Sequence, residues 1–427
     1  MNVLYLAHRI PYPPDKGDKI RSYHQVRYLG ERHRVALVCF ADDIRDMRHA
    51  DALREFCASV DVVYRSPLEA RIAGLRGLVD GRAVSVAAFA SRALRRAAEF
   101  RLRGADAVIG YSSVMAQYIP ERSGVPRLMD FVDVDSDKWR LYAERRSGPA
   151  AWIYAREAER LARFEERVAR TWDHSLFVSV REARLLAARV PDHPWTALPN
   201  GVDLSYFAPS CRVTNGAQGH ANGNGNGHGA HASPGADAVP GGAPSIVFTG
   251  LMNYFPNVDG VRHFCAEIFP RVRAEVPDAR FVIVGRNPVR SVRALGRLPG
   301  VSVTGAVPDV RPYLASASVS VAPLRVARGL QNKILEAMAM ALPVVATSAA
   351  FEGVGAPKGT GGEVADSPDA FARCVVELLR DPERRRSAGE SARAYVERHH
   401  RWADHGAALD ELIGRLVVQR PGDTARR

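Results

Sequence analysis

The stretch from Pro323 to Thr347, PLRVARGLQNKILEAMAMALPVVAT, contains the end of one predicted strand, a loop, a helix and the start of another strand. The loop 325–331 shows no apolar period, whereas Asn332–Ala341 has the composition of a good helix, which Pro343 ends. Because a helix start presents unpaired N–H groups and the positive end of its dipole, it favours a bound anion. The stretch therefore predicts an αβ unit with an anion-binding site at the start of its helix.

Charged side chains in this unit sharpen that prediction. Lys333, and with it Arg325 and Arg328, would add positive charge at the helix start. Glu336 lies one turn further along, too far for capping, and a carboxylate there is suited to gripping two neighbouring hydroxyls of a ribose. Taken alone, the segment also fits a surface helix with a Lys/Glu pair.

Apolar runs alternate with longer amphipathic segments along the rest of the chain, which is typical of parallel sheets with helices on both faces. Strands of the first half are predicted at Val3–Ala7, Val35–Phe40, Ala107–Ile109, Arg127–Phe131 and Ser175–Ser179. Strands of the second half are predicted at Ser245–Thr249, Arg280–Val284, Val301–Thr304, Val319–Ala322 and Val344–Ala346. Pro382–Val418 is predicted to be helical, with one apolar face formed by Leu409, Leu412, Ile413 and Leu416.

A low-complexity segment separates the two halves. From Asn215 to Pro244 the chain is almost entirely Gly, Asn, Ala, His, Ser and Pro, so it cannot bury enough apolar surface to become ordered. We therefore predict an N-terminal domain over 1–205, a disordered insertion over 210–244, a C-terminal domain over 245–400, and a C-terminal helix and tail over 401–427.

The composition predicts where in the cell the protein is located. Its 427 residues are 46% hydrophobic and 25% charged, an ordinary globular mixture, and no stretch approaches the roughly 18 apolar residues of a membrane span. Met1–Ala7 is too short an apolar run for a signal peptide and predicts a buried first strand. The five cysteines form no CxxC pair and no zinc-like cluster, which predicts free thiols, a reducing compartment and a cytoplasmic location.

The net charge of +12 fits either a solvated surface or attraction to anionic partners. The basic amphipathic stretches 92–103 and 156–170 are either solvated helix faces or contacts with an anionic membrane. No nucleic-acid-binding motif accompanies the charge, so no nucleic-acid partner is predicted. A NAD-binding fingerprint, a nucleophile elbow and a P-loop are also absent from the sequence.

Several further segments carry a family resemblance. These are LYLAHRIPYPPDKGDKIRSYHQVRYL at 4–29, DFVDVDSDKW at 130–139, LPNGVD at 198–203, IVFTGLMNYFPN at 246–257, FVIVG at 281–285 and VTGAVPDVRPY at 303–313. In this order, together with the stretch 323–347, they resemble the GT-B glycosyltransferases of family 4, the "glycosyl transferases group 1" type. Within that family the opening and the DFVDVDSDKW segment are most similar to bacterial exopolysaccharide and PEP-CTERM/exosortase-associated sugar transferases.

The resemblance implies an α/β GT-B fold, in which two Rossmann-like domains face each other across a donor-binding cleft. It also implies a set of residues that bind a nucleotide-sugar donor: Gly17, Gly250, Asn253, Gly285, Val307, Arg325, Arg328, Gly329, Leu330, Gln331 and Asn332. Lys333 would neutralise the leaving phosphate, and Glu336 matches the second Glu of the family's Glu-x7-Glu motif and would hold the ribose.

The sequence departs from the family pattern at several places. The first Glu of the motif is replaced by Arg328, and Leu251 and Met252 follow Gly250 where the family has an Arg. The N-terminal glycine-rich loop has only Gly17. The basic residues Arg325, Arg328 and Lys333 are the available replacements for the missing charge.

The run 133–137, DVDSD, contains Asp133, Asp135 and Asp137, which form DxD patterns. Three interpretations remain open: a solvated turn after a strand, a contact with the acceptor or the sugar, and a divalent metal site. We predict no metal or other cofactor, because the helix start and Lys333 supply positive charge, and we take Asp133 as a candidate catalytic group.

The resemblance further implies transfer of a sugar to a hydroxyl of a saccharide or polyprenyl-linked acceptor, with retention of configuration, at the inner face of the cell membrane. The alternatives are a nucleotide-sugar epimerase, a phosphorylase, or a non-catalytic sugar-nucleotide binder.

Overall fold

The computed structural model describes residues 1–15, 17–144, 146–209, 244–357 and 359–419, apart from the side chain of Leu78. Nearly all of the predicted insertion, 210–243, and the tail after residue 419 lie outside the described residues. The chain divides into two compact units, Met1–Asn200 with Trp402–Arg427, and Gly201–Arg401.

The first unit contains a seven-stranded, fully parallel sheet with the order β3-β2-β1-β4-β5-β6-β7. Its strands are β1 Asn2–Ala7, β2 Arg34–Ala41, β3 Ser59–Tyr64, β4 Ala107–Tyr111, β5 Arg127–Val132, β6 His174–Phe177 and β7 Trp195–Ala197. Side chains alternate along each strand, so Val3 and Tyr5 belong to one core cluster while Leu4 and Leu6 belong to another. The sheet is therefore covered on both faces.

Helices connect these strands. They span Gly17–Gly30, Ala50–Arg54, Pro67–Val79, Val84–Ala88, Arg92–Leu102, Asp135–Glu144, Pro149–Thr171 and Val180–Ala187. Ser91 and Ser179 begin two of them, each accepting a hydrogen bond from a backbone N–H in the first turn.

The C-terminal helix Trp402–Gln419 completes the first unit by packing on the helix Gly17–Gly30. The His24 imidazole stacks on the Trp402 indole with ring centroids 4.4 Å apart. Gly406 allows this approach, because a Cβ there would lie 2.3 Å from the Tyr28 ring. Of the predicted apolar face, Leu409, Leu412 and Ile413 are buried and Leu416 is half-buried.

The second unit contains a six-stranded parallel sheet with the order β10-β9-β8-β11-β12-β13. Its strands are β8 Ser245–Thr249, β9 Arg280–Val284, β10 Val301–Gly305, β11 Val319–Ala322, β12 Val344–Ala346 and β13 Gly362–Val364. Its helices are Phe255–His263, Phe269–Glu275, Arg290–Arg293, Arg311–Ser316, Asn332–Ala339, Ser348–Phe351, Pro368–Arg380 and Pro382–His399.

Both sheets have the strand order of a Rossmann fold. The first three strands of each sheet are added on one side, and the following strands are added on the other side of the first strand. The reversal lies between β1 and β4 in the first unit and between β8 and β11 in the second. The predicted α/β class with two Rossmann-like sheets is confirmed. None of the described helices is both long and apolar enough to span a bilayer.

Candidate functional site

The second sheet places the predicted αβ unit at its topological switch point. In sheets of this order, ligands bind outside the carboxyl ends of the strands where the order reverses. Here β8 leads into the helix Phe255–His263, and β11 leads through the loop 323–331 into the helix Asn332–Ala339. The start of that helix therefore lies at the end of the sheet where a ligand is expected.

Two glycines, Gly250 and Gly285, directly follow the strands β8 and β9 at this end of the sheet. The Gly250 N–H donates to the carbonyl of Val284 at 3.0 Å, and the Gly285 N–H donates to that of Gly305 at 3.1 Å. A Cβ on Gly285 would lie 1.7 Å from the Gly250 carbonyl oxygen, so only glycine fits there. A Cβ on Gly250 would lie 3.1 Å from Lys333 Nζ, which places that ammonium beside the end of β8.

The Lys333 ammonium is held by two groups from the β8 side of the switch point. Its Nζ donates to Asn257 Oδ1 at 2.6 Å and lies 4.1 Å from the centre of the Phe248 ring. Asn257 is buried, and its Nδ2 donates to the Leu251 carbonyl at 2.9 Å. The amide thus fixes the position of Lys333.

Asn257 was missed by the sequence analysis as a functional residue. The signal available was a polar side chain in the first turns of a helix that directly follows the strand-end glycine.

Glu336 lies one turn after Lys333 on the same helix. Burial lowers the pKa of the Lys333 ammonium to about 7, against the opposing effect of the Glu336 charge. Burial raises the pKa of the Glu336 carboxyl to about 7, against the opposing effect of Lys333. Within the described ranges the Glu336 carboxylate accepts no hydrogen bond, so its oxygens are available to a ligand.

The loop before the helix is shaped by backbone contacts. Gly329 has φ +58°, and Gly353 packs so closely that a Cβ there would lie 2.2 Å from the Gly329 carbonyl oxygen. Gln331 occupies the N-cap position but makes no side-chain cap hydrogen bond, and its amide donates to the Arg328 carbonyl instead. The first turn of the helix is therefore not covered by the Gln331 side chain.

The remaining predicted donor-binding residues of the second unit differ in their surroundings. Arg325 forms an ion pair with Asp259, with Nε to Oδ2 at 3.0 Å, so its charge is shared with a carboxylate. Asn253 is exposed in the turn after Gly250. Val307 and Leu330 are half-buried and pack against the core of the unit.

Gly17 and Asp133 belong to the first unit. Gly17 is exposed and begins its helix, and the adjacent Asp18 pairs with Arg9. Burial opposes ionisation of Asp18, but the hydrogen bond from His8 and the charges of Arg9 and His8 outweigh it and lower the pKa of that carboxyl. Gly17 lies in the connection that follows β1, and Asp133 directly follows β5, so Gly17 and Asp133 both lie at the carboxyl end of the first sheet.

The acidic run after β5 is paired with neighbouring groups. Arg140 contacts Asp137 at 2.6 Å and Lys138 contacts Asp135 at 3.6 Å. Burial, with the charge of Asp133 as the second cause, raises the pKa of Glu182 to about 7. Among the described residues, no three His, Cys, Asp or Glu side chains are placed to share a metal ion.

A buried polar network at the switch point of the first sheet was also missed. Arg21 Nε donates to Asp130 Oδ2 at 2.7 Å, and Arg21 Nη1 donates to the Leu198 carbonyl at 2.7 Å and to Asn200 Oδ1 at 3.1 Å. Gln25 Nε2 donates to the same Asp130 oxygen at 2.7 Å. The network ties the helix Gly17–Gly30 to the ends of β5 and β7.

The second unit is similar in sequence to glycosyltransferases. Residues 243–381 match the family model described as "Glycosyl transferases group 1", which confirms the predicted group 1 domain over these residues. The chain is 32% identical over 167 residues to the GDP-mannose-dependent monoacylated alpha-(1-6)-phosphatidylinositol monomannoside mannosyltransferase of Corynebacterium glutamicum. The match covers 34% of this chain and 41% of that enzyme, so the chain spans less than half of this relative's length.

Solved structures resemble the chain over nearly its whole length. Sucrose-phosphate synthase from Thermosynechococcus elongatus gives a TM-score of 0.70 at 15% identity, covering 98% of this chain and 99% of that one. Anabaena HepE, solved with UDP and glucose, gives 0.64 at 14% identity, covering 97% and 100%. WaaG, a glycosyltransferase involved in lipopolysaccharide biosynthesis, gives 0.63 at 14% identity, covering 96% and 99%. These likenesses confirm the predicted GT-B fold class.

Proposed function

We propose that this protein is a glycosyltransferase that moves a sugar from a nucleoside-diphosphate donor to a hydroxyl acceptor. The observation that carries the proposal is the Lys333 ammonium, held by Asn257 beside Gly250 at the start of the helix Asn332–Ala339. A diphosphate at this helix start would meet backbone N–H groups, the helix dipole and a full positive charge. The match over 243–381 supports a glycosyltransferase activity, and the complex of HepE with UDP supports a nucleotide donor.

The chemistry follows from these groups. As the bond from the sugar to the phosphate breaks, negative charge grows on the leaving diphosphate, and Lys333 with the helix N–H groups stabilises that charge. The Glu336 carboxylate would grip the ribose hydroxyls and so fix the nucleotide relative to Lys333. Because these groups supply the positive charge, the proposal requires no metal and no further cofactor.

The finer parts of the proposal rest on the family resemblance. They are retention of configuration, a saccharide or polyprenyl-linked acceptor, a role in exopolysaccharide or lipid-linked glycan synthesis, and action at the cytoplasmic face of the membrane. Asp133 is the proposed first-unit contributor to catalysis. The replacement of the first motif Glu by Arg328 favours one competing function, a sugar-nucleotide binder without turnover.

A donor screen separates these functions. We expect one of the UDP-, GDP-, ADP- or dTDP-sugars to raise the unfolding temperature of the full-length protein, since a ligand at ~100 times its Kd stabilises a fold by about 2.7 kcal/mol. That donor should then release its nucleoside diphosphate when an acceptor is added. Stabilisation without release would establish the binder instead, and no stabilisation by any donor would refute the proposal.

The pH at which nucleotide binding weakens should be set partly by the hydrogen bond from Lys333 to Asn257. Lys333 loses its charge as the pH rises through about 7, so diphosphate affinity should fall on the alkaline side. Asn257→Ala removes the acceptor of the ammonium, lowers its pKa further and moves this alkaline fall to lower pH. Asn257→Asp places a carboxylate there and should move it to higher pH.

Calorimetric titration of the diphosphate at a series of pH values measures these shifts. Asp278→Asn removes an exposed carboxylate of the same unit and serves as the matched control, with no shift expected. Superimposable pH profiles for the two Asn257 variants and the wild-type protein would show that Lys333 does not contact the phosphates.

A further inference from the structure

The C-terminal end of the helix Asn332–Ala339 is held by an arginine from another helix of the same unit. Arg393, on the helix Pro382–His399, donates from Nη1 to the carbonyl of Ala339 at 2.6 Å. A helix leaves its last four carbonyls without a backbone partner, and a cation there also complements the negative end of the helix dipole. The guanidinium therefore supplies a C-terminal hydrogen bond that this helix cannot make for itself.

The two helices are closely packed at this point. Gly389 lies one turn before Arg393 on the same face of its helix. A Cβ at Gly389 would lie 2.1 Å from the carbonyl oxygen of Ala341, which has φ +53° in the turn that ends the other helix. The backbone of that turn thus contacts the helix that carries Arg393, and a larger side chain at position 389 would separate them.

The same guanidinium also holds the start of the second unit. Nη1 donates to the Phe207 carbonyl at 2.6 Å, Nη2 donates to the Leu204 carbonyl at 3.3 Å, and Nε donates to Glu397 Oε1 at 2.5 Å. The planar fork of an arginine can serve three carbonyls and a carboxylate at once, which a lysine ammonium cannot. Arg393 therefore joins the first residues of the second unit to the end of the helix Asn332–Ala339.

The other end of this helix carries Lys333 and Glu336. Eight residues make a rigid rod about 12 Å long, so a displacement at the last residue is passed on to the first turn. The buried side chains of the helix make apolar contacts, which have no preferred direction and resist a slide along the axis less than hydrogen bonds do. Such a slide would break the 2.6 Å contact of Lys333 with Asn257, and a misplacement of about 1 Å in a site can cost about a hundredfold in rate.

We propose that Arg393 is a positioning residue for the nucleotide-sugar donor. By joining the end of the helix Asn332–Ala339 to the start of the unit, it sets the place at which Lys333 meets the leaving diphosphate. The inference rests on the proposed function and adds to its donor site a residue that acts without contacting the donor. The opposing interpretation is an arginine that only stabilises the unit, and its loss would leave the surroundings of Lys333 unchanged.

The titration of Lys333 itself tests the proposal without any ligand. The chain has only five lysines, so lysine labelled at Cε gives few NMR signals, and Lys333→Met identifies the signal of Lys333. We expect Arg393→Met to lower the pH midpoint of that signal by about one unit, because the displaced ammonium loses Asn257 while it stays buried. In an Asn257→Ala background the same substitution should cause no further shift, since the contact through which it acts is already absent.

The matched control is Arg385→Met. From the same helix, Arg385 Nη1 donates to the carbonyl of Leu378 at 3.0 Å, near the end of the different helix Pro368–Arg380. Its loss should lower the stability of the unit without moving the midpoint of Lys333. Arg393→Lys keeps the charge but only part of the hydrogen bonds, so it should cause a smaller shift in the same direction, and it replaces Arg393→Met if that variant does not fold.

Nucleotide binding gives the second measurement. Calorimetric titration with UDP, GDP, ADP and dTDP should show that the nucleotide bound by the wild-type protein binds Arg393→Met about tenfold more weakly and Arg385→Met normally. An unchanged Lys333 midpoint, an equal shift with and without Asn257, or normal nucleotide binding by Arg393→Met would overturn the proposal. A wild-type protein that binds none of the four would count against the proposed function, whereas the NMR midpoints would still show whether Arg393 positions Lys333.

Discussion

Lys333→Met is expected to lower the turnover of the enzyme about a thousandfold while leaving the protein folded. Methionine keeps the length and the apolar stem of the lysine but removes the charge that faces the departing diphosphate. The Asn257 amide would then have no ammonium to hold at the switch point of the second sheet. Because the lost interaction strengthens as the leaving group gains charge, kcat should fall more than the donor affinity.

Stability should change in the opposite sense to activity. The pKa of Lys333 in the folded protein, about 7, lies below the ordinary value of 10.5, so burial disfavours the ammonium. This cost is fully present below about pH 7 and fades as the pH rises toward the pKa of the unfolded chain. Lys333→Met removes the cost, so its unfolding temperature at or below neutral pH should be no lower than that of the wild-type protein.

Steady-state transfer assays and thermal unfolding together check this prediction. Arg280→Met replaces an exposed cation at the amino end of β9, which is the opposite end of that strand from Gly285. This variant is the matched control and should keep normal turnover. Glu336→Ala should also lower turnover severely, with a larger share of its effect on donor binding. Near-normal turnover in both Lys333→Met and Glu336→Ala would remove the helix start from the mechanism.

The central strands of both sheets could be predicted because they are largely apolar, as strands buried on both faces must be. All ten predicted strands are present; nine of them lie inside their sheets, and the tenth, β10, is an edge strand. The three strands that were missed, β3, β7 and β13, all lie at sheet edges, where one neighbour suffices and polar residues are tolerated. In β3, for example, Asp61 interrupts the apolar run and pairs with Arg101.

The candidate site was predictable only where its residues are close in sequence. Lys333 and Glu336 share one helix with a recognisable start, so local patterns indicated them. Asn257 contacts Lys333 across 76 positions of the chain, and that contact arises only because β8 and β11 are neighbours in the sheet.

The single helix predicted over 382–418 was wrong in one respect. The structure has two helices, Pro382–His399 and Trp402–Gln419, separated at His400 and Arg401, and the second belongs to the first unit.

Arg21→Met should destabilise the first unit by about 3–5 kcal/mol, because it removes one partner of a buried ion pair. Arg21 and Asp130 are 1% and 0% exposed, so the Asp130 carboxylate would stay buried without its charged partner. The carbonyl of Leu198 and the amide of Asn200 would lose the same donor. Arg21→Met combined with Asp130→Leu removes both charges and should recover a large part of the loss.

Tryptophan fluorescence during urea unfolding measures this loss in the first unit, because all five tryptophans of the chain belong to it. Arg45→Met breaks an exposed pair with Asp43 in the same unit and should leave the transition unchanged. If Arg21→Met unfolded at the same urea concentration as Arg45→Met, the network at the first switch point would not stabilise the unit. If the double variant were as unstable as Arg21→Met, the loss would come from the packing and hydrogen bonds of Arg21 rather than from the unpaired Asp130 charge.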